Sequence, residues 1–129
     1  MIRRDEIMIY IIDKNHLYRN IVAEFLKSIE IYNYREFDNG EECFANNGPV
    51  PHLVILENDL GEGHWTGIEF MEEYQRLHKD ISFIFMSSNS RVELAVETIR
   101  KGATDYIVKS RSGLGRLARH IESLILSRA

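Results

Sequence analysis

Three observations predict a doubly wound α/β domain, a five-stranded parallel sheet between two layers of helices. Short apolar runs rich in Ile, Val and Phe recur along the chain, without the alternation of half-wet strands, as strands buried on both faces do. Between them lie segments whose apolar residues repeat at three- and four-residue spacing, which supplies the crossover helices that parallel strands require. The runs end on an acid, a hydroxyl or a lysine, and in open α/β sheets ligands gather beyond the carboxyl ends of the strands. At 129 residues a chain buries about two-thirds of its unfolded surface, so 1–129 is read as one domain that needs no stapling.

Ile7-Met8-Ile9-Tyr10-Ile11-Ile12 is continuously apolar and stops at Asp13, which reads as a central strand. Leu17, Ile21, Val22, Phe25, Leu26 and Ile29 then follow helical spacing, with Asn15 as cap. Ile31 to Phe37 mixes polar and apolar positions, as an edge strand does. Asp38-Asn39-Gly40-Glu41 has the form of a capping box for a short helix through Phe44, halted by Asn46-Asn47-Gly48-Pro49. Pro51 opens the third strand, where Leu53-Val54-Ile55-Leu56 is too short for a helix and delivers Glu57 at its end. Beyond a loop reaching from Gly61 to Gly67, Thr66-x-x-Glu69 starts a third helix with Ile68, Met71, Tyr74 and Leu77 facing inward. Ile81 to Met86 is a fourth strand ending at Ser87. Ser90-x-x-Glu93 is expected to cap a fourth helix carrying Val92, Ala95, Val96 and Ile99, and Gly102 to stop it. Tyr106-Ile107-Val108 is a fifth strand ending at Lys109, and Leu114, Leu117, Ala118, Ile121 and Ile125 mark the last helix. Right-handed crossovers then select the flavodoxin-like order 2-1-3-4-5, with its switch point beyond Asp13 and Glu57.

The net charge of -4 gives no general reason to expect nucleic acid or an anionic membrane as partner. The last stretch is basic, with Lys109, Arg111, Arg116, Arg119 and Arg128 against Glu122 alone, and reads as a solvated helix face with cations toward its C-terminus. Cys43, the only cysteine, excludes an internal disulfide and any Cys-x-x-Cys redox or metal motif, and reads as a small core residue. The five histidines show no metal-ligand spacing. No secretory signal or membrane span is legible, so a cytoplasmic protein is expected.

The topology brings Asp13-Lys14, Glu57, Ser87 and Lys109 together at four strand ends. This ordered set, with Gly102-Ala103-x-Asp105-Tyr106-Ile107-Val108-Lys109, resembles the receiver domain of bacterial two-component response regulators (the CheY-like superfamily) along essentially the whole chain. The resemblance implies a site where a pair of acids after the first strand and an Asp ending the third bind magnesium. That Asp accepts phosphoryl from a kinase histidine, and a hydroxyl and a lysine bind the phosphoryl oxygens. Asp13, Ser87 and Lys109 match their positions. Lys14 stands where the second acid belongs, Glu57 stands at the phosphoacceptor, and Ser110 replaces the proline that usually follows the lysine. A cis bond before a non-proline costs roughly 2.5–4 kcal/mol, so the Lys109–Ser110 peptide is expected to be trans.

Charge decides what these departures mean. Three carboxylates and a lysine invite a divalent ion, because like charges a few Å apart repel by roughly 1–4 kcal/mol without one. Asp13, Lys14, Glu57 and Lys109 sum to zero, so Lys14 is expected to pair with Glu57 and take the metal's electrostatic role. No cofactor is expected, and magnesium, which would use Asp13 and Glu57 if retained, weakly or not at all. The extra methylene of Glu57 moves its carboxylate by roughly 1.5 Å, enough to spoil in-line attack. The expectation is a pseudo-receiver, independent of phosphorylation, with Glu57 reaching toward Ser87 and Lys109 as phosphoryl oxygens would. Asp59 is the substitute acceptor to consider, in the loop and aimed elsewhere. That loop is about two residues longer than loops of ordinary receivers, with His64 and Trp65 at its tip, positioned for a partner contact or for packing against the domain.

In the resembled family the fourth helix, fifth strand and fifth helix form the partner-switching surface, which places Ser87, Leu94, Tyr106 and the basic last helix there. The partners implied are a histidine kinase, an output domain, another regulator, or a second copy in a homodimer through that surface. Two alternatives remain: a receiver still phosphorylated on Glu57 or Asp59 with magnesium, and a small phosphohydrolase. Asp13-Lys14-Asn15 with Ser87 and Lys109 is partly similar to the haloacid dehalogenase type, but Asn15 replaces its second Asp and no cap domain is legible. Asp13-Lys14-Asn15-His16 also lacks the phosphate loop of a flavin-binding flavodoxin. No enzyme activity is expected.

Overall fold

The computed structural model describes residues 2–127; Arg128 and its share of the basic tail lie outside them. The elements run β1 (Ile9–Ile12), α1 (His16–Ser28), β2 (Tyr34–Phe37), α2 (Gly40–Ala45), β3 (Leu53–Leu56), α3 (Gly67–Leu77), β4 (Ser82–Ser87), α4 (Val92–Arg100), β5 (Asp105–Val108) and α5 (Arg111–Ser127). The sheet is parallel throughout, in the order β2-β1-β3-β4-β5, which is the flavodoxin-like order expected.

Alternation along the buried strands divides the core in two. Tyr10, Ile12, Val54, Leu56, Phe83 and Phe85 face α3, where Phe70, Met71 and Tyr74 meet them. Ile9, Ile11, Leu53, Ile55, Ile84 and Met86 face α1 and α5, through Val22, Leu26, Leu117 and Ile121. Each fully buried Leu, Ile or Phe contributes about 1.5–3 kcal/mol, and covering both faces is what holds such short strands. Cys43 is a core residue whose thiol is pushed up to about 12 by burial, so it is chemically quiet.

Several helix faces differ from the periodicity reading. Leu17, Ile21, Leu77, Val92, Val96 and Ile99 are exposed, because each helix presents only a narrow stripe to the sheet. In α1 that stripe is Arg19, Val22, Ala23 and Leu26; in α4 only Thr98 is fully covered, with Leu94 and Ala95 half-buried against the core. Two caps also move. The α2 cap is Asn39, accepting from Glu42 N at 2.9 Å, one residue later than the box read from Asp38. Ser90 does not cap α4, which begins after Arg91 with no side-chain cap. Asn15 and the Thr66–Glu69 box cap α1 and α3 as expected. Gly102, at φ +119°, ends α4 in the region that favours glycine.

At the start of β5, buried Asp105 fastens the strand to α5. It accepts from Arg116 Nε at 2.7 Å, Arg116 Nη2 at 2.5 Å and Tyr106 N at 2.8 Å, and its Oδ2 lies 2.7 Å from His120 Nε2. Burial alone would raise this carboxyl; the bonds from His120, Arg116 and Tyr106 outweigh it and hold it below the usual 3.8. A folded-state value below the unfolded one adds stability above about pH 4 that is lost as pH falls through the folded value. Thermal unfolding from pH 7 to 3 should therefore show Asp105→Asn less stable at neutral pH and flatter on the acid limb; an acid limb as steep as the parent's would remove Asp105 from the account.

Candidate functional site

Register builds the site. Ile12 pairs with Leu56, so Asp13 and Glu57 leave adjacent strands at one level, and Glu57 N donates to Ile12 O at 3.0 Å. Ser87 pairs with Val108, and Lys109 N donates to Ser87 O at 2.9 Å, which sets the lysine one step beyond the hydroxyl. Asp13, Lys14, Asn15, Glu57, Asp59, Ser87, Ser88, Asn89 and Lys109 line one cavity of about 330 Å³. The strand-end residues picked out by the sequence thus meet in one place.

Their pairing is not the expected one. Lys109, not Lys14, is the central cation: its Nζ donates to Asp13 Oδ2 at 2.8 Å and lies 3.2 Å from Glu57 Oε1. The other two carboxylate oxygens are also engaged, Asp13 Oδ1 by Asn15 N and Glu57 Oε2 by Asn58 N, each at 2.8 Å. Lys14 reaches outward to Asp59 Oδ1 at 3.0 Å. Its side chain is half exposed, and an ammonium keeps its hydration by pointing out once Lys109 is paired with both buried acids. Asp59 consequently sits on the rim of the cavity rather than pointing away; the bonds from Lys14 and Gly61 N hold its carboxyl below the usual range.

Glu57 meets Lys109 but is not bonded to Ser87, whose Oγ accepts from Asn89 N at 3.1 Å. The second carboxylate oxygen of Glu57 is committed to its own loop at Asn58 N, so only half of the expected phosphoryl-like reach is present. Tyr106 is buried, stacked near Phe85 with ring centroids 6.3 Å apart, and donates through its hydroxyl to Asn89 O at 2.5 Å. Ser87 and Tyr106 are therefore joined through one loop residue, Asn89. The Lys109–Ser110 peptide is trans, as are all the described peptides.

The sequence reading missed Arg19. Buried beneath the first turn of α1, it donates from Nη1 to Asp13 O and Asp38 Oδ1, both at 2.5 Å, and from Nε to Glu36 Oε1 at 3.2 Å. The signal was legible, a charged residue on the same stripe as Val22, Ala23 and Leu26. His64 and Trp65 fold against the domain, His64 on Glu41 at 3.1 Å and Trp65 edge-on to Phe44 at 5.5 Å; neither lines the cavity. Among the described residues no three His, Cys, Asp or Glu side chains are grouped to hold a metal ion, and no helix is long and apolar enough to cross a membrane.

Fold and strand-end constellation define a receiver domain, and the model of the response regulator receiver domain family matches residues 9–122, so the chain belongs to that family. It is 29% identical over 90 residues to the luminescence regulatory protein LuxO of Vibrio campbellii, a match covering 70% of this chain and 16% of that protein. The nitrogen assimilation regulatory protein NtrX of Azorhizobium caulinodans is 30% identical over 59 residues, 46% of this chain and 13% of that protein. The receiver domain of NtrX from Brucella abortus superposes with a TM-score of 0.79 at 28% identity, covering 91% of this chain and 97% of that one. The chain thus spans only a small part of the regulators it matches, and within them it corresponds to the receiver, the domain through which response regulators interact with kinases and output domains.

Proposed function

We propose that this is an atypical receiver that works without phosphorylation, as a protein-interaction module in two-component signalling. The observation that carries the reading is the acid at the phosphoacceptor position: it is Glu57, buried, and tied with Asp13 to Lys109 and with its second oxygen to Asn58. The extra methylene displaces the would-be nucleophile by roughly 1.5 Å, and misplacement of about 1 Å can cost a hundredfold in rate. The donor set does not fit magnesium. Lys14 replaces one acidic ligand, and the Lys109 ammonium lies between the two acids that remain, so a divalent ion would lack a ligand and meet a buried cation.

Output in this reading passes through the surface of α4, β5 and α5. Ala95, Val96, Ile99, Arg100, Tyr106 and Arg116 are among the residues lining a groove of about 370 Å³ there, and Val92 and Val108 are exposed. Leu94, which the sequence places on this surface, is half-buried against the core as Ala95 is, and lies beside the groove rather than in its lining. An apolar floor with arginines at its rim fits a kinase, an output domain, another regulator or a second copy of the chain. The reading makes the domain cytoplasmic and non-enzymatic, with neither nucleic acid nor membrane as a partner.

Intact-mass analysis after incubation with acetyl phosphate and magnesium tests this. No phosphoryl gain is expected for the parent protein, and a gain for Lys14→Asp with Glu57→Asp, which rebuilds the family's acids. A magnesium-dependent gain in the parent would overturn the reading. Mapping would then separate Glu57 from Asp59, which the structure brings to the rim of the same cavity.

A further inference from the structure

We infer that Tyr18 is a positioning residue of this site, whose ring closes over Lys109 and, with Asp13 and Glu57, sequesters the lysine from external anions. The inference rests on the reading above only in treating the site as internally satisfied. Lys109 Nζ lies 4.2 Å from the centroid of the Tyr18 ring. The same ammonium contacts Asp13 Oδ2 at 2.8 Å and Glu57 Oε1 at 3.2 Å, so its surroundings are two carboxylates and an aromatic face. The lysine side chain is only 15% exposed.

Each wall of this cage comes from a different element: Asp13 from the end of β1, Glu57 from the end of β3, Tyr18 from the first turn of α1. The ring is fixed from behind, since Tyr18 is half-buried, packs on the core shared by α1 and α5, and its hydroxyl lies 3.9 Å from Met86 Sδ. Its phenol is pushed up to about 12, first by burial and then by the charges of Asp13 and Glu57, so at neutral pH the ring is uncharged and offers the lysine its negative face. A cation on an aromatic face gains about 0.5–1 kcal/mol when exposed and about 2 or more when desolvated. An incoming phosphate or carboxylate has to displace that face as well as two ion pairs before it reaches the ammonium. Lys14, which lines the same cavity, is half exposed and paired with exposed Asp59; it is the cation an anion meets first.

Two measurements test the assignment. In the parent protein, protons over an aromatic face are shifted upfield, so the Lys109 ε-methylene signals should lie upfield of those of Lys14, Lys27, Lys79 and Lys101; signals among theirs would remove the cage. Acylation by a small amine-reactive ester, followed by peptide mapping, should label Lys109 most slowly of the five lysines. Tyr18→Phe, which keeps the ring and drops the hydroxyl, should leave that rate within about twofold. Tyr18→Leu should raise it about three- to tenfold with the other four lysines unchanged, whereas unfolding would accelerate all of them. A Leu variant indistinguishable from the Phe variant, or a parent Lys109 labelled as fast as Lys79, overturns the proposal. Neither readout depends on phosphoryl transfer. A parent that gains phosphoryl while Lys109 stays protected would sink the phosphorylation-independent reading alone, and a reactive Lys109 in a protein that refuses phosphoryl would sink the cage alone.

Discussion

Replacing Lys109 with methionine is expected to destabilise the domain by about 3 kcal/mol at pH 7, the scale of breaking a buried ion pair by removing one partner. Methionine keeps most of the side-chain volume, so the loss is electrostatic rather than a cavity. The variant leaves the carboxylates of Asp13 and Glu57, with side chains 5% and 7% exposed, facing each other without the cation between them. Adding Asp13→Asn and Glu57→Gln removes both charges, and the triple variant should recover most of the loss. Urea denaturation of parent, single and triple variants measures it. A single-variant loss below about 1 kcal/mol, the value of an exposed pair, would mean that water already screens the site. A triple variant no better than the single would move the cause to packing.

Arg19→Met should cost about 2–4 kcal/mol, by a different route. Glu36 and Asp38 are exposed enough to recover water when the guanidinium is gone. The backbone carbonyl of Asp13 is not, and an unsatisfied buried acceptor costs about 1–3 kcal/mol. The rest comes from the charge-assisted bonds that join β1, α1 and the end of β2. Arg76→Met is the matched control, since Arg76 pairs with Glu73 one helical turn away, at the surface, and should lower stability by less than about 0.5 kcal/mol. Equal effects at the two arginines would refute the hub.

The sheet order was legible because the buried strands are unbroken apolar runs and each stops on a residue that cannot continue into the core. The same stops gave the location of the site, and Asp13, Glu57, Ser87 and Lys109 converge as the topology required. Pairing within the site was not legible. Lys14 precedes Lys109 by most of the chain, and nothing in one dimension says which ammonium turns inward; the choice depends on register and on the ring of Tyr18. Helix faces failed for a related reason. Apolar spacing in α1 and α4 marks an arc wider than the stripe a sheet can cover, so Leu17, Ile21, Val92 and Val96 fit the period and still face water. Arg19 falls on the α1 stripe at the spacing of Val22, Ala23 and Leu26, but apolar spacing alone does not say that an arginine on that stripe turns inward.

The join between β3 and α3 bears on how the site could be moved. Gly67 N donates to Asn58 O at 2.9 Å and Ile68 N to Asn58 Oδ1 at 3.0 Å. A Cβ on Gly67 would stand 2.5 Å from the carbonyl oxygen of Glu57 and 2.9 Å from Phe85 Cε2, so backbone lies on backbone with no room for a side chain. Mechanically this is a rivet: the first turn of α3 and the peptide that carries the Glu57 carboxylate translate together. The far side of the site is hung differently, because Asn89 in the loop after β4 holds to Ser87 and Tyr106 through single side-chain bonds. The two sides of the site are therefore fastened differently. The acid side is held by backbone packed on backbone, whereas the hydroxyl side is held by side-chain bonds across one loop residue.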